Sequence, residues 1–246
     1  MEFRILGPLE VVAGDRVVAL GGGKERALLA VLLLHANEVV PSERLIDELW
    51  GEAAPATVAK MVQVYVSHLR KALRGEQGEN GADGLLVTRA GGYMLRLEEE
   101  QSDLEHFERL LRDGRGALAA GESERASTTL REALALWRGP PLVDFGYEPF
   151  AQQEIARLEE LRLAALEERI EADLALGRHA ELIGELETLV AADPLRERLR
   201  GQLMLALYRC DRQAEALDAY RQGRARLVEE SGSSRAGRCS GSSRRS

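Results

Sequence analysis

The hydrophobic and polar positions from Ala56 to Arg74 alternate with the period of an α-helix. At about 100° per residue, the apolar side chains of this stretch fall on one side of a helical wheel. They are Val58, Val62, Tyr65, Val66, Leu69 and Leu73. The opposite side carries a narrow polar stripe, made of Lys60, Gln63, Ser67, Arg70, Lys71 and Arg74. The pattern predicts a helix that buries one face in a core and turns a row of hydrogen-bond donors to the surface.

This polar stripe is basic in a chain that is acidic. Residues 60–74 contain four basic residues and no acidic one, whereas the whole chain of 246 residues has 33 Lys and Arg against 41 Asp and Glu. Such a helix fits the DNA major groove, where guanine and phosphate offer acceptors to Arg and Lys. An ordinary amphipathic helix with a solvated polar face has the same pattern, so the neighbouring elements must decide between the two interpretations.

The patterns before this helix predict a small sheet and a first helix. Runs of β-type residues at Phe3–Leu6, Leu9–Val12 and Val17–Leu20 predict an antiparallel N-terminal sheet. Residues 25–35 are rich in Ala and Leu and predict a helix. The glycines and lysine of residues 21–24 lack the G-x-x-x-x-G-K-[ST] spacing of a phosphate-binding loop, so we interpret them as the flexible start of that helix.

Residues 41–51 predict a second helix, with Ser42 as its N-cap and Gly51 at its end. Pro55 stops any continuation, and Thr57 is placed to cap the third helix, the one with the basic stripe. Two helices joined by a short turn, with basic residues facing outward from the second, follow the order of a helix-turn-helix.

A predicted β-hairpin follows the third helix. A glycine-rich loop near Gly75 to Gly84 leads into strands at Leu85–Arg89 and Tyr93–Leu97, joined by a turn at residues 90–92. Arg89 therefore lies beside the turn, next in the chain to the basic helix. This arrangement is typical of the wing of a winged helix.

The second half of the chain shows helical patterns. Predicted helices at 107–118 and 126–137 are followed by a long one from about 148 to 176. The starts of two later helices, 177–181 and 211–215, repeat at an offset of 34, which is the tetratricopeptide period. Helix pairs of this kind bury their apolar faces by stacking and leave an outer surface for a partner.

Charge and composition place any DNA contact in the first part. Residues 1–97 contain 11 basic and 12 acidic residues, whereas residues 98–230 contain 18 basic and 29 acidic ones. With 45% hydrophobic residues, no apolar run near 18 residues and no signal-peptide pattern, the chain is expected to be a soluble cytoplasmic protein without a membrane segment. Its two cysteines form no disulfide framework.

Several motifs resemble one family of regulators. V-Q-V-Y-V-S-H-L-R-K-A-L followed by V-T-R-A-G-G-Y-M-L resembles the response-regulator type of winged helix-turn-helix, and L-L-L-H-A-N-E-V-V-P-S-E-R-L-I-D-E-L-W-G is similar to its version in the Streptomyces antibiotic regulatory protein family. L-W-R-G-P-P-L-V-D resembles the bacterial transcriptional activation domain of that family. The resemblance implies a mainly α protein with small β elements. It has a winged helix-turn-helix with a four-stranded N-terminal sheet at 1–97 and an all-α, tetratricopeptide-like domain at 98–230.

The resemblance and the helical stripe together select the expected DNA-binding residues. They are Lys60, Gln63, Ser67, His68, Arg70, Lys71 and Arg89. The amide of Gln63 is suited to an adenine edge, whereas the lysines and Arg70 are suited to phosphates. His68 lies at the edge of the stripe, and the sequence favours neither contact with a base nor packing at the helix edge. Arg89 matches the wing residue that reaches the adjacent minor groove or its phosphates.

The resemblance implies a sequence-specific transcription regulator of secondary metabolism. It is expected to be an activator that binds direct repeats of double-stranded DNA at promoters and contacts RNA polymerase and its sigma factor through the helical domain. A DNA-binding domain with a net charge of −1 should bind one half-site weakly, which predicts a homodimer on DNA.

Two other classes of function are an interaction scaffold and an enzyme. A helical-repeat interaction scaffold without promoter-specific DNA binding fits the acidic repeats equally well, and the basic stripe with Arg89 separates it from a regulator. An enzyme is not expected, since the histidines at 35, 68, 106 and 179 lie in separate segments and no nucleophile motif occurs. Neither a cofactor nor a metal site is predicted.

The last residues depart from the family pattern. After Glu230 the chain consists mostly of Ser, Gly and Arg, where the family continues with Leu-Gly and a further helix. We predict a disordered tail at 231–246, the product of a truncation or a shifted reading frame. A short basic tail that helps to hold DNA is the alternative.

Overall fold

The computed structural model describes residues 1–74 and 84–239, with side chains as far as Val228. The predicted glycine-rich loop, apart from Gly84, lies outside these residues. The chain divides into two compact units: Met1–Arg112 with Arg131–Ala164, and Asp113–Leu130 with the described residues from Ala165 onward. These units alternate along the chain, so the domain limits at residues 97 and 230 stay a prediction.

The first unit contains the strands of the described chain and the helices of the predicted winged helix-turn-helix. In order they are β1 Glu2–Arg4, β2 Glu10–Ala13, β3 Arg16–Val17, α1 Gly23–Leu34, β4 Val40–Pro41, α2 Ser42–Trp50, α3 Val58–Arg74, β5 Leu86–Arg89 and β6 Gly92–Leu95. Pairing is antiparallel in both sheets, with the orders β1-β2-β3 and β4-β6-β5. The predicted fold class, order of helices and hairpin are confirmed.

The core of this unit forms around α1, whose residues from Ala27 to Leu33 are all buried. The apolar face predicted for α3 packs there through Val62, Val66, Leu69 and Leu73, while α2 contributes Leu45 and Leu49. The rings of Trp50 and Tyr65 stack at 6.1 Å between α2 and α3. The buried apolar stripe thus fixes which side of α3 faces away from the protein.

Two expectations for the N-terminal sheet are wrong. The first sheet has three strands within the described residues, because β4 pairs with β6 of the hairpin instead. The predicted strand at Phe3–Leu6 ends at Arg4, because the N–H groups of Ile5 and Leu6 donate to the Asp103 carboxylate and leave the ladder.

The cap predicted for α2 is also wrong. Ser42 is the first helical residue, and its N–H donates to the Gly91 carbonyl oxygen at 2.9 Å, so Pro41 takes the N-cap position. Thr57 does lie at the start of α3, as predicted. Its carbonyl oxygen accepts hydrogen bonds from the N–H groups of Lys60 and Met61. The hairpin lies against β4 because Gly92 has no side chain; a Cβ there would collide with the Val40 carbonyl oxygen.

A buried acid and an arginine join distant parts of the first unit. Asp103 is 4% exposed, and its carboxylate accepts hydrogen bonds from the N–H groups of Ile5 and Leu6 at 2.8–2.9 Å. Arg138 lies 3.7 Å from the same carboxylate and pairs with Glu10 at 2.7 Å. These contacts hold residues beyond 97 in one compact unit with the N-terminal sheet.

Helices form the remainder of the described chain. They are α4 Asp103–Ala119, α5 Ser123–Ala135, α6 Pro149–Ala175, α7 His179–Ala192, α8 Glu197–Arg209 and α9 Gln213–Cys239, with a short 3-10 turn at Val143–Phe145. The predicted offset of 34 is confirmed, since α7 begins at His179 and α9 at Gln213. None of the helices that the structure describes combines the length and the apolar character needed to cross a bilayer.

The same helix-ending motif occurs three times in the second unit. Gly121, Gly177 and Asp211 each have a positive φ, at 75°, 79° and 60°, and a new helix begins two residues after each. At each site the following N–H bonds to a carbonyl oxygen five residues earlier, as from Arg178 to Asp173. This is the Schellman motif, which pairs the last carbonyl groups of a helix.

A charged cluster is buried in the second unit. Asp173 is fully buried and accepts hydrogen bonds from Arg169, Arg178 and Ser127 at 2.7–3.1 Å. These three donors replace the hydrogen bonds that water would give to the carboxylate. Loss of one of them would leave a buried charge without full compensation, which destabilises the fold.

The tail differs from its prediction in part. The backbone of α9 continues as far as Cys239 and so includes residues 231–239 of the predicted disordered segment. Extending an existing helix adds one hydrogen bond for each residue fixed, which favours propagation even through Ser and Gly. Residues 240–246 lie outside the described part of the chain, and their disorder stays a prediction.

Asp103 should make the stability of the protein depend on pH. Burial raises the pKa of this carboxyl above its ordinary 3.8, and the hydrogen bonds from Ile5 and Leu6 offset only part of that effect. The folded state therefore binds this proton more tightly than the unfolded chain, so the contribution to stability is present below the ordinary pKa and is lost as pH rises through the raised pKa. We expect the free energy of unfolding of the wild type, minus that of Asp103→Asn, to decline as pH rises above 3.8 in urea titrations. A difference that increases with pH would contradict this account.

Gly121 and Gly116 provide a matched pair for the helix-ending motif. A Cβ at either position would meet nothing within 4 Å, but only Gly121 has a positive φ. We expect Gly121→Ala to lower the free energy of unfolding by about 1–2 kcal/mol. Gly116→Ala, inside α4, should raise it by about 0.5–1 kcal/mol. Chemical denaturation of both variants measures this, and equal effects would refute the role of the left-handed conformation.

Candidate nucleic-acid interface

The polar stripe of α3 is displayed at the surface of the first unit. Lys60, Gln63, Ser67 and Lys71 are all exposed, on the side of the helix opposite to its buried apolar face. No acidic residue follows Lys60 within α3. The stripe therefore presents two ammonium groups, an amide and a hydroxyl as hydrogen-bond donors on one face.

Arg70 is only partly exposed, because its guanidinium binds the hairpin. Its Nε donates to the Leu86 carbonyl oxygen at 2.9 Å, and one terminal nitrogen donates to Thr88 Oγ1 at 2.9 Å. Both acceptors belong to β5. Arg70 thus joins the basic helix to the wing, a contact that the prediction of a phosphate-binding role did not include.

His68 is held from the opposite direction by α1. Its Nδ1 lies 2.6 Å from Oε1 of Glu25, and its side chain is 58% exposed. Because an ionised carboxylate can only accept, Nδ1 carries the proton and Nε2 is the acceptor of the neutral ring. Glu25 also accepts a hydrogen bond from the N–H of Gly22 at 2.9 Å, which fixes the carboxylate at the start of α1. The ring is therefore oriented by the protein while most of it remains open to solvent.

Arg89 is exposed at the tip of the hairpin, apart from the α3 stripe. It lines an open depression of about 550 Å³ together with Ser42 and Glu43 at the N-terminus of α2 and with Tyr93 of β6. The helix has no side-chain cap at that end. The positive end of the helix and the Arg89 guanidinium both favour an anion here, whereas the Ser42 N–H is already bonded to Gly91 and the Glu43 carboxylate opposes a negative ligand.

Other basic residues near α1 are occupied within the unit. Lys24 Nζ donates to the Leu49 carbonyl oxygen at 2.7 Å and lies 3.3 Å from Glu148, whereas Arg26 pairs with Asp144 at 2.7 Å. Lys24 therefore has a structural role at the end of α2. The available positive charge is concentrated on α3 and on the hairpin tip.

Three residues of this surface were missed by sequence reasoning. Thr88 lies in the predicted wing and is exposed, but nothing in the sequence pattern pairs its hydroxyl with Arg70. From the sequence, Glu25 is recognisable as an acid in the first turn of a helix but not as the partner of His68. Ser42 was assigned to a cap, and its place beside Arg89 depends on strand pairing that joins residues 40–41 to 92–93.

The described residues offer no alternative site of metal chemistry. Within residues 1–74 and 84–228, no group of three or more His, Cys, Asp or Glu side chains is arranged to hold a metal ion.

Comparison with known protein families gives two matches. Residues 16–95 match the family described as "Transcriptional regulatory protein, C terminal", and residues 102–239 match the "Bacterial transcriptional activator domain". The two matches follow each other in the order expected from the sequence motifs.

Individual relatives agree with this assignment. The chain is 41% identical over 235 residues to the regulatory protein DnrI of Streptomyces peucetius. The aligned region covers 94% of this chain and 86% of DnrI. The chain is 43% identical over 233 residues to AfsR of Streptomyces coelicolor, covering 94% of this chain but only 23% of that longer protein. A solved structure of Mycobacterium tuberculosis EmbR in complex with a low-affinity phosphopeptide superposes with a TM-score of 0.89 at 37% identity, over 93% of this chain and 60% of EmbR.

Arg70 and its neighbour Lys71 allow a test of the contact between helix and wing. Arg70→Ala removes two hydrogen bonds from a charged donor and should lower the free energy of unfolding by about 1–2 kcal/mol. Lys71→Ala, on the exposed stripe, should change it by less than about 0.5 kcal/mol. In a double-mutant cycle measured by urea unfolding, Arg70→Ala and Thr88→Val should be less than additive. Full additivity would show that the two side chains do not interact.

Proposed function

Because the chain belongs to the Streptomyces antibiotic regulatory protein family of transcriptional regulators, we propose that it activates promoters by binding direct repeats of double-stranded DNA through α3 and the wing. The observation that carries the proposal is the exposed donor stripe of α3 beside a hairpin with Arg89 at its tip. The buried apolar face leaves only this side of α3 free to enter a major groove.

The residues of the stripe have different roles in this proposal. Gln63 reads a base edge, because its amide pairs bidentately with N6 and N7 of adenine. Lys60 and Lys71 bind phosphates, which sets the register of the helix on the duplex without reading sequence. Ser67 and His68 lie on the same exposed side, and the free Nε2 of His68 is an acceptor suited to a cytosine amino group.

Arg70 and Arg89 act at the wing. Arg70 holds the hairpin against α3 and contributes positive charge near the DNA backbone, in place of a separate phosphate contact. Arg89 reaches the adjacent minor groove or its phosphates. In the depression between Arg89 and the N-terminus of α2, the helix end and the guanidinium attract a backbone phosphate against the opposing charge of Glu43.

The low positive charge of this surface supports binding in pairs. Residues 1–97 have a net charge of −1, and Lys24 and Arg26 are already paired with acids. A single copy should therefore bind weakly at physiological salt, and two copies on adjacent repeats would reach useful occupancy. Head-to-tail placement of a homodimer on direct repeats follows from this proposal.

The helical domain is proposed to contact RNA polymerase and its sigma factor. Large apolar side chains are exposed on α8 and α9, among them Leu205, Tyr208, Leu217 and Tyr220. Exposed apolar residues on neighbouring helices favour a protein partner over DNA. The control of biosynthetic genes is likewise a proposal, supported by the regulatory relatives from Streptomyces.

DNA binding is tested with the full chain and duplexes from the regions upstream of its own and neighbouring genes. Fluorescence anisotropy is measured at several salt concentrations with random duplex as competitor. Replacing Lys60, Lys71 and Arg89 by alanine should reduce the slope of log K against log[salt] by about 2–3, since each phosphate contact contributes about 0.9. Gln63→Ala should lose about 1–3 kcal/mol of preference at one base pair while leaving that slope unchanged.

The matched control removes exposed charge elsewhere. Arg125→Ala and Arg221→Ala lie on α5 and α9 and should leave both affinity and salt slope unchanged. If specific and random DNA compete equally for the wild type, promoter recognition is wrong for this chain. The scaffold interpretation would then be favoured.

A further inference from the structure

Glu25, in the first turn of α1, links His68 of α3 to the glycine segment at residues 21–23. Its two carboxylate oxygens have different partners: Oε1 lies 2.6 Å from Nδ1 of His68, and Oε2 accepts the N–H of Gly22 at 2.9 Å. The Glu25 side chain is 12% exposed, whereas that of His68 is 58% exposed. A carboxylate fixed by two donors thus lies beside a ring that is open to solvent.

The lack of a side chain at Gly21 makes room for this carboxylate. A Cβ there would lie only 1.3 Å from Oε2 of Glu25, so the two atoms cannot occupy these positions together. A Cβ at Gly23, in the same segment, would meet nothing within 4 Å. The glycine segment therefore contains one position, residue 21, that must be free of a side chain for Glu25 to reach His68 in this way.

The contact with Glu25 determines what the far nitrogen of the His68 ring offers to a ligand. A carboxylate only accepts, so Nδ1 keeps its proton and Nε2 of the neutral imidazole is an acceptor. In the major groove the amino groups of cytosine and adenine are donors, whereas the oxygens of guanine and thymine are acceptors. An acceptor at Nε2 therefore matches a base with an amino group and disfavours guanine and thymine.

The charge of this pair opposes contact with a phosphate. With a neutral ring, Glu25 and His68 together carry one negative charge, and the mostly buried carboxylate is screened less by water than an exposed one. A phosphate at this edge of the stripe would be repelled, whereas Lys60 and Lys71 attract phosphates. The repulsion of the DNA backbone and the acceptor on the ring both favour a base edge as the partner of His68.

We propose that Glu25 is a positioning residue of the DNA-binding surface. It holds His68 in the tautomer whose Nε2 accepts a hydrogen bond from a cytosine or adenine amino group. Glu25 does not touch DNA and acts only through His68. Without the carboxylate, the ring loses its fixed orientation and tautomer, and the preference for an amino group is lost. The inference rests on the proposed promoter binding and adds to it a residue that selects the base at one position.

The tautomer of His68 is measured by NMR on the full chain with its histidines labelled with nitrogen-15. Spectra are recorded at about pH 8, where an imidazole with the ordinary pKa of about 6.5 is neutral. The spectrum of His68→Ala identifies the signals of this ring. Wild-type His68 should have its proton on Nδ1, and Glu25→Ala should shift the population toward the Nε2–H form. A purely structural role of Glu25 would leave this equilibrium unchanged, so an unchanged tautomer contradicts the proposal.

Base preference is measured by anisotropy at the same pH, on the repeat found in the promoter experiment, with each base pair replaced in turn. The position at which His68→Ala loses discrimination marks the base that His68 reads. There the wild type should favour a base with an amino group by about three- to tenfold, the contribution of one hydrogen bond. Glu25→Ala should lose this preference yet bind random duplex more tightly than the wild type, because a negative charge is removed. Glu25→Gln, whose amide oxygen also accepts from Nδ1, should retain the preference.

Gly21→Ala and Gly23→Ala provide a matched pair of variants outside the DNA-binding surface. The clash at residue 21 involves the end of a flexible side chain, so both variants should fold, but only Gly21→Ala displaces the Glu25 carboxylate. Gly21→Ala should therefore lose the same base preference as Glu25→Ala, and Gly23→Ala should match the wild type. If the preference survives in Glu25→Ala and Gly21→Ala, the role of Glu25 is wrong while promoter binding stands. Equal binding of specific and random duplex by the wild type would overturn both.

Discussion

The hydrogen bonds from Ile5 and Leu6 to the Asp103 carboxylate determine how the first unit is built. They end β1 after Arg4 and attach the N-terminal sheet to α4, while Arg138 approaches the same carboxylate from a third part of the chain. A carboxylate taken out of water is tolerated where donors surround it, and its loss would leave backbone N–H groups unpaired in a buried place. The N-terminal sheet is therefore an integral part of the first unit. The winged helix is stabilised partly by residues that follow it in the chain, Asp103 and Arg138.

The surface proposed for DNA consists of two kinds of polar residue. Lys60, Gln63, Ser67 and Lys71 extend from a helix whose opposite face is in the core, so their positions are set by the backbone alone. Arg70 and His68 are set by hydrogen bonds to the wing and to α1. Preorganised groups lose less entropy on binding, whereas the flexible lysines supply charge that adapts to the duplex. The residues that are tied down thus give this surface its shape, whereas register on a duplex is proposed to come from the phosphate contacts of the lysines.

The periodicity of apolar residues was sufficient to predict the helices and strands. It failed where pairing between residues far apart in the chain decides the structure. The apolar stripe of α3, the hairpin at residues 85–97 and the offset of 34 between α7 and α9 each arise from local spacing, and each is confirmed. The shortening of β1, the pairing of β4 with β6 and the buried state of Asp173 depend on partners far along the chain. A carboxylate in a helical charge pattern looks the same from sequence whether water or arginine surrounds it. The roles of the individual DNA-facing residues remain proposals, because a surface alone does not name the base that it reads.

The contact between Arg70 and the wing has a consequence for how such chains diverge. Its two hydrogen bonds reach Leu86 and Thr88 directly from α3, and β4 pairs with β6 on the other side of the hairpin. The hairpin is thus held on two sides by contacts with α3 and β4. Lengthening a connection costs little free energy, about 0.6 kcal/mol for each doubling. Chains that diverge by a longer connection between residues 74 and 84 should therefore keep the geometry of the polar stripe and the hairpin.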